Sequence, residues 1–206
     1  MTYDPRKHDR RSLRMPGYDY AGHGAYFVTI CTYRRECLLG RVENDTVVLS
    51  PMGEIVREEW LRSAEIRREI ALDEFVVMPN HMHGIVFIEA DMSPGASRRD
   101  SQKAPRTIVG AASAPPSDSP STGASSNLTP RSLGAMIAGF KIAAAKGINA
   151  TRSTPGKPVW QRNFFEHVVR NAADLDELRR YIADNPAAWA TDEENPAGTS
   201  HPTASS

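Results

Sequence analysis

The sequence predicts an α+β protein, and three observations support this class. Residues 25–33 are rich in β-branched and aromatic side chains, which predicts a strand. Apolar residues at helical spacing follow at 55–64. Two further extended patterns, at 71–78 and 81–88, flank Pro79-Asn80 and predict a tight hairpin. The predicted order is therefore strand, short extended pieces, helix, strand and strand.

The short pieces lie between the first strand and the first helix. They are predicted at 38–42 and 46–49, with a turn at 43–45. Ser50 can cap the helix that follows, and Pro51 suits the first helical position because its fixed φ matches a helix. The apolar residues of this helix are Ile55, Val56, Trp60, Leu61 and Ala64.

The composition limits the class of protein. A chain of 206 residues can bury a core as one domain or two small ones. Basic and acidic residues both number 25, so the net charge of zero neither favours nor excludes nucleic acid. Cys31 and Cys37 lack zinc-finger spacing and give no disulfide framework, which fits a reducing compartment. Since no apolar run reaches the roughly 20 residues that span a bilayer, we predict a cytoplasmic protein without a membrane partner.

A single folded domain is predicted at 21–190, and three segments are predicted not to belong to its folded part, one of which interrupts it. The first is a basic N-terminal arm at 1–20, whose arginine and lysine side chains can bind phosphates. The second is a Ser/Pro/Ala-rich insertion at about 91–130, which has little to bury and is predicted to be disordered. The third is a disordered tail at 191–206. The basic residues of the arm are Arg6, Lys7, Arg10, Arg11 and Arg14.

Two more helices are predicted beyond the insertion. Residues 132–146 combine apolar spacing with a high alanine content. Asn171 or Asp174 can cap the second of these helices. Pro186 is predicted to end it, because the residue before a proline avoids helical geometry.

Two basic residues in this half of the chain are candidates for contact with nucleic acid. Lys141 lies on the first of the two helices. Arg162 lies in the segment 157–165, whose mixture of aromatic, amide and basic residues is typical of nucleic-acid surfaces. The alternatives are that Lys141 is simply solvated and that the aromatic residues of the segment 157–165 belong to the core.

His81 and His83 are candidate metal ligands. Side chains of a strand alternate between its two faces, so both histidines lie on one face with Ile85 and Phe87. Two adjacent imidazoles on a rigid strand can bind one divalent cation. The alternative is a half-exposed strand end with two unrelated histidines, because a metal site needs at least a third ligand.

Tyr181 and Asn185 lie on the last predicted helix, four residues apart, and project from the same side. A phenol can attack phosphorus when a metal ion polarises the phosphate, and an amide oxygen one turn away can bind that ion. The spacing equally allows Tyr181 to be an aromatic residue at the edge of the apolar face of the helix.

Four motifs together resemble the single-tyrosine HUH transposases, most of all their branch of REP-associated tyrosine transposases. His-x-His alone is a weak signal, but the four motifs occur in the order of the family, and the resemblance covers residues 10–190 apart from the insertion. The motifs are Tyr26-Phe27-Val28-Thr29, Met78-Pro79-Asn80-His81-Met82-His83, Trp160-Gln161-Arg162-Asn163-Phe164-Phe165-Glu166-His167 and Tyr181-Ile182-Ala183-Asp184-Asn185-Pro186.

The resemblance implies a fold and a reaction. The fold is α+β, with a ferredoxin-like or RRM-like antiparallel sheet and helices packed on one face. His81, His83 and Asn185 would bind Mg²⁺ or Mn²⁺, and Tyr181 would be the nucleophile. The reaction would be the nicking and strand transfer of single-stranded DNA through a 5′-phosphotyrosine link.

The resemblance also implies the DNA partner, which is a hairpin formed by short palindromic repeats. Bound to such DNA, the protein would be associated with the nucleoid. Members of the family act as monomers or as dimers, so the oligomeric state stays open. The residues expected to contact DNA are Arg6, Lys7, Arg10, Arg11, Arg14, Lys141 and Arg162.

Two other functions remain open at this point. A catalytically inactive hairpin-binding protein would hold the DNA without a covalent adduct and would be indifferent to Tyr181→Phe. A metal-dependent hydrolase would use water as the nucleophile and release free 5′-phosphate ends.

Overall fold

The computed structural model describes residues 23–89, 131–192 and 194–196. The predicted insertion and arm lie outside the described residues, and so do the five basic residues of the arm and, in the predicted tail, residues 193 and 197–206. The helices and strands are β1 (Gly24–Cys31), β2 (Gly40–Glu43), β3 (Thr46–Leu49), α1 (Pro51–Ile66), β4 (Ile70–Val77), β5 (His81–Ile88), α2 (Leu133–Thr151), β6 (Phe165–Val169) and α3 (Ala172–Ala188).

Four strands form one antiparallel sheet in the order β4-β5-β1-β6. Along the chain, β1 is followed by the β2–β3 hairpin, then by α1 and then by β4, and α2 lies between β5 and β6. The sheet and its two helices thus follow the β-α-β-β-α-β order of a ferredoxin-like fold. The predicted α+β class is confirmed. Within the described residues no helix is long and apolar enough to cross a membrane.

The larger core lies on the face of the sheet that α1 and α2 cover. Trp60 of α1 is fully buried there, and its ring contacts Phe75 of β4 and Phe140 of α2. Both helices begin at serine caps, Ser50 for α1, as predicted, and Ser132 for α2. The two helices contribute these buried apolar residues: Val56, Trp60, Leu133, Met136, Ile137, Phe140, Ala144 and Ile148.

Gly84 lets Trp60 lie directly on the sheet. A Cβ atom at position 84 would lie 2.6 Å from Cζ2 of Trp60, closer than two carbon atoms can approach without displacing one of them. The residue between His83 and Ile85 is therefore fixed by packing on the face of β5 that the histidines do not occupy.

The opposite face of the sheet is covered by α3, so the expectation that the helices pack on one face holds for α1 and α2 only. Phe27 of β1 and Ile85 of β5 pack there against Leu178 and Ile182 in a second, smaller core. Met82 of β5 belongs instead to the larger core, so the side chains of β5 alternate between the two faces as predicted. The α3 helix thus covers the face of the sheet on which the odd-numbered residues of β5, including His81 and His83, lie.

An ion pair joins α3 to the edge strand β4. Nη2 of Arg179 lies 2.6 Å from Oδ2 of Asp73, and Nε lies 3.1 Å from the same oxygen. Asp73 lies where the register of β4 on β5 shifts between Leu72 and Phe75. Such a bulge re-aims side chains, and here the carboxylate contacts the helix that carries Tyr181.

The prediction that Pro186 ends the last helix is wrong, because α3 continues to Ala188. Asn171 caps its first turn, accepting a hydrogen bond from the backbone N–H of Asp174. Proline in the last turn removes only one intrahelical donor, and the N–H of Trp189 donates to the carbonyl of Pro186 to close the end. This extra length brings Trp189 to the candidate site.

Candidate functional site

His81 and His83 lie at the start of β5, on the face that α3 covers. β5 pairs there with β1, which places His83 opposite Thr29 and His81 opposite Cys31. The histidines are 0% and 4% exposed, and their ring centroids are 4.6 Å apart. The strand therefore holds two imidazoles side by side in a buried place.

Three buried polar atoms at this place have no hydrogen-bond partner among the described residues. They are Nε2 of His81, Nε2 of His83 and Oδ1 of Asn185. Leaving a buried donor or acceptor without a partner costs about 1–3 kcal/mol, so three such atoms together are unlike an ordinary core. The chemistry of all three atoms suits a divalent cation, since imidazole nitrogens and amide oxygens are both metal ligands.

The electrostatics of the two histidines favour their neutral forms. Burial lowers the pKa of His81 to about 3, an effect that the neighbouring Asn185 side chain opposes and the charge of Arg35 strengthens. Burial also lowers the pKa of His83 well below its usual value, and His81 acts in the same direction. Both rings are thus neutral at pH 7, which is the form of imidazole that binds metal.

Among the residues that the structure describes, none supplies a carboxylate ligand to the candidate site. Among the described residues, no group of three or more His, Cys, Asp or Glu side chains could hold a metal ion. His81 and His83 would instead be joined by an amide, which brings no charge. The residues present fit a cation that takes its remaining ligands from a bound anion and from water.

Tyr181 lies beside the histidine pair. Its ring meets that of His83 edge to face at a centroid distance of 5.2 Å, and Phe27 lies 5.9 Å from Tyr181. Phe27 also stacks on His83 at 5.3 Å. The α3 helix therefore brings Tyr181 and Asn185 to the same end of the sheet as the two histidines.

Three residues that adjoin the site were not singled out as site residues from the sequence. Trp189 lies with its ring centroid 6.1 Å from that of His81, and its spacing of four from Asn185 on the helix was an available signal. Asn80 contacts His81 and directly precedes it in the sequence. Thr29 contacts His83, but only the register of β1 on β5 reveals this neighbour.

The two described basic residues that were predicted to contact DNA have different surroundings. Nζ of Lys141 donates to the carbonyls of Gln161 and Asn163, at 3.0 and 2.9 Å. Burial lowers the pKa of Lys141 to about 8, although Cys31 opposes the effect. Arg162 is exposed and follows Gln161, whose N–H donates to the carbonyl of Cys31. Arg162 thus lies near the end of β1 that adjoins the histidines.

Fold and site together define a class of protein. It has a ferredoxin-like sheet in which one strand carries two neutral imidazoles, and a helix across that face supplies an amide and a phenol.

The chain is 30% identical over 191 residues to an uncharacterised protein of Haemophilus influenzae, a match that covers 93% of this chain and 96% of that protein. The chain belongs to the same family as that protein. No protein-family model matches the chain.

Two solved structures are similar at low sequence identity. One is a REP-associated tyrosine transposase bound to a REP hairpin, with a TM-score of 0.44 and 19% identity, over 80% of this chain and 67% of that chain. The other is a candidate transposase from Deinococcus radiodurans R1, with a TM-score of 0.37 and 11% identity, over 81% of this chain and 92% of that chain. Both scores are too low to say anything about function.

Proposed function

We propose that the protein nicks and rejoins single-stranded DNA by a metal-dependent attack of Tyr181 on a phosphodiester. The observation that carries the proposal is the meeting of three buried ligand atoms without partners and a tyrosine ring 5.2 Å from His83. The motifs that resemble single-tyrosine HUH transposases contain all four of these residues. Neither an ordinary core nor a solvated strand end explains why they meet.

His81, His83 and Asn185 would hold the cation, which we propose to be Mg²⁺ or Mn²⁺. When bound, such a cation supplies positive charge that stabilises a phosphate under attack. Because the three protein ligands are neutral, we expect the affinity for the cation to be low until a DNA phosphate adds negative charge. Metal and DNA should therefore bind cooperatively.

Tyr181 would perform the covalent step. Its hydroxyl oxygen forms a bond to phosphorus while the bond from phosphorus to the 3′ oxygen breaks, and the leaving oxygen takes up a proton as the phenol loses one. One strand leaves with a free 3′-OH, and the other stays attached as a 5′-phosphotyrosine. Attack by a 3′-OH on this link reverses the step, so strands are rejoined without a nucleotide cofactor.

The packing around Tyr181 suits this role. Phe27 and His83 both contact the tyrosine ring edge to face or nearly so, an arrangement that aromatic pairs prefer. Leu178 and Ile182, on the same helix, are buried against the sheet. A phenol on an anchored helix keeps its position relative to the histidines. This helps catalysis because little conformational entropy of the side chain is lost when the reactive geometry forms.

Single-stranded hairpin DNA from palindromic repeats is the substrate that we propose. Exposed groups near the end of β1 support a DNA surface, namely Tyr33 with the guanidinium of Arg34 5.3 Å above its ring, and Arg162. Aromatic rings stack on unpaired bases, and arginine binds phosphates. These groups adjoin the strand end at which the histidines lie.

The test uses the full chain and labelled single-stranded hairpin DNA from the repeats that flank its gene. After incubation with Mn²⁺ or Mg²⁺, a denaturing gel should show a labelled band with the mass of protein plus DNA. The band should disappear with a chelator and in Tyr181→Phe. Tyr33→Phe is the matched control, since it removes only the hydroxyl of another tyrosine and keeps the aromatic ring that would stack on a base, and the band should persist.

Two other results would contradict the proposal. If DNA is cut without the band, in wild type and Tyr181→Phe alike, water is the nucleophile and the protein is a hydrolase. If the hairpin is bound but never cut, the protein is a hairpin-binding protein without catalysis.

A further inference from the structure

We infer that Asn80 is a positioning residue that sets the tautomer of His81, so that Nε2 of this imidazole keeps the lone pair that a cation needs. The inference rests on the proposed function, because it assigns the cation to His81. It adds Asn80, which acts through the candidate ligand His81 and has no part in the proposed function as stated above.

Two backbone carbonyls fix the orientation of the Asn80 amide. Its Nδ2 donates to the carbonyl of Glu194 at 2.6 Å and to that of Arg35 at 3.1 Å. A carbonyl oxygen can only accept a hydrogen bond, so the amide nitrogen must face these two groups. The amide oxygen of this fully buried side chain must then point the other way, toward His81.

The fixed amide in turn fixes the proton on the imidazole. Oδ1 of Asn80 lies 2.9 Å from Nδ1 of His81. Since an amide oxygen only accepts, Nδ1 must be the donor and must carry the proton. A neutral imidazole has only one such proton, so Nε2 of His81 keeps its lone pair. This nitrogen is one of the buried atoms without a partner.

His83 has no such constraint. Its Nδ1 lies 2.8 Å from Oγ1 of Thr29. A hydroxyl can donate or accept, so this hydrogen bond is compatible with either tautomer. His83 thus provides an internal reference in the same site, because a change at Asn80 should leave its tautomer as it was.

The chain offers a matched control for local disturbance at Asn80. The hydroxyl of Thr32 donates to the backbone carbonyl of Asn80 at 2.9 Å, and also to that of Glu36. Thr32→Val removes this buried hydroxyl at nearly constant volume. It perturbs the backbone around Asn80 without removing the amide oxygen that His81 needs.

The experiment measures the proton position directly in the full chain without metal. Long-range ¹H–¹⁵N spectra of histidine-labelled protein show which ring nitrogen carries the proton. We expect His81 to be protonated at Nδ1 in the wild type and in Thr32→Val. In Asn80→Ala we expect a mixture of both tautomers for His81 and no change for His83.

A second measurement follows the consequence for the cation. Mn²⁺ alone is titrated into each variant, with bound Mn²⁺ followed by electron paramagnetic resonance. We expect Asn80→Ala to weaken binding by about 10–100-fold, the usual effect of losing the partner of a ligating histidine. Thr32→Val should bind as the wild type does.

Three outcomes would overturn the inference. The first is a wild-type His81 that carries its proton on Nε2, a result that requires no variant to fold. The second is an unchanged tautomer in Asn80→Ala, and the third is unchanged Mn²⁺ affinity despite a changed tautomer. If the wild type binds no Mn²⁺ either alone or in the presence of hairpin DNA, while the tautomers respond as expected, the role of Asn80 in setting the tautomer is supported and the proposed metal-dependent function is overturned.

Discussion

The ring of Tyr181 lies edge-on to the ring of His83, with the two centroids 5.2 Å apart, although one residue belongs to α3 and the other to β5. This contact joins the candidate nucleophile to the candidate metal ligands. Asn185 reaches the same place from one turn further along the helix. One chain therefore supplies all four residues of the candidate site, and the position of α3 on the sheet determines whether they meet.

Replacing Asn185 should change the response of the protein to Mn²⁺. In Asn185→Asp a charged ligand should bind the cation more tightly, but without metal the buried carboxylate has no partner and should lower stability. We expect Mn²⁺ to raise the Tm of this variant more than that of the wild type. In Asn185→Ala the effect of Mn²⁺ should decrease.

Thermal unfolding with and without Mn²⁺ measures both effects. Asp184→Asn, at the exposed neighbouring position, is the control and should respond as the wild type does. An Asn185→Ala variant with undiminished stabilisation by Mn²⁺ would show that this amide is not a ligand.

Gly84→Ala should destabilise the protein through overpacking. The added Cβ would lie 2.6 Å from Trp60, which is fully buried and cannot move aside freely. We expect a loss of about 1–3 kcal/mol in the free energy of unfolding. Urea unfolding followed by tryptophan fluorescence measures the loss. Gly139→Ala is the control, because its Cβ would meet only the flexible end of Arg67, at 3.2 Å. Equal losses in both variants would contradict the packing argument.

The ion pair between Asp73 and Arg179 should matter for catalysis more than for DNA binding. Asp73→Asn removes the charge that holds α3 to β4, so Tyr181 should be less well positioned. We expect slower formation of the covalent adduct and nearly unchanged hairpin affinity, as measured by single-turnover gels and by fluorescence anisotropy. Asp176→Asn is the control, since Asp176 makes only an exposed pair with Arg179 within the helix. A similar decrease in both variants would show that the contact with β4 has no special role.

The protein should lose stability in acid through its two buried histidines. The pKa of His81 in the folded protein is about 3, and that of His83 is well below the ordinary value of 6.5. Below about pH 6.5 both histidines therefore take up protons in the unfolded chain but stay neutral in the folded chain, until the pH reaches their lowered pKa values. Stability therefore falls as the pH decreases from about 6.5 toward 3, by up to about 1.4 kcal/mol per pH unit for each histidine. Urea midpoints between pH 7 and acid conditions measure the slope. It should be shallower in His83→Gln, and an equal slope would contradict the assignment.

Much of the site followed from local rules of geometry. Alternation along a strand places His81 and His83 on one face, and helical spacing places Tyr181 and Asn185 on one side. Strand β6, which begins at the last residue of the segment 157–165, was not predicted. Strand β6 is only five residues long and includes Glu166 and His167, and its pairing with β1 makes it a strand. The local sequence of a segment does not show which distant strand it pairs with.

The position of α3 on the sheet could not be predicted from the sequence for a similar reason. Leu178 and Ile182 indicate an apolar helix face, but not that it packs on Phe27 rather than beside α1 and α2. The contact of Tyr181 with His83 depends on this choice. The tautomer of His81 likewise depends on Asn80 through the carbonyl of Glu194, which is distant in sequence.

Identification of the residue that carries DNA determines whether Tyr181 is the nucleophile. The covalent product of the full chain with hairpin DNA and Mn²⁺ is digested with nuclease and protease, and the modified peptide is sequenced by mass spectrometry. We expect a 5′-phosphate linked to Tyr181. A phosphate on any other residue, or cleaved DNA with no modified peptide, would contradict it.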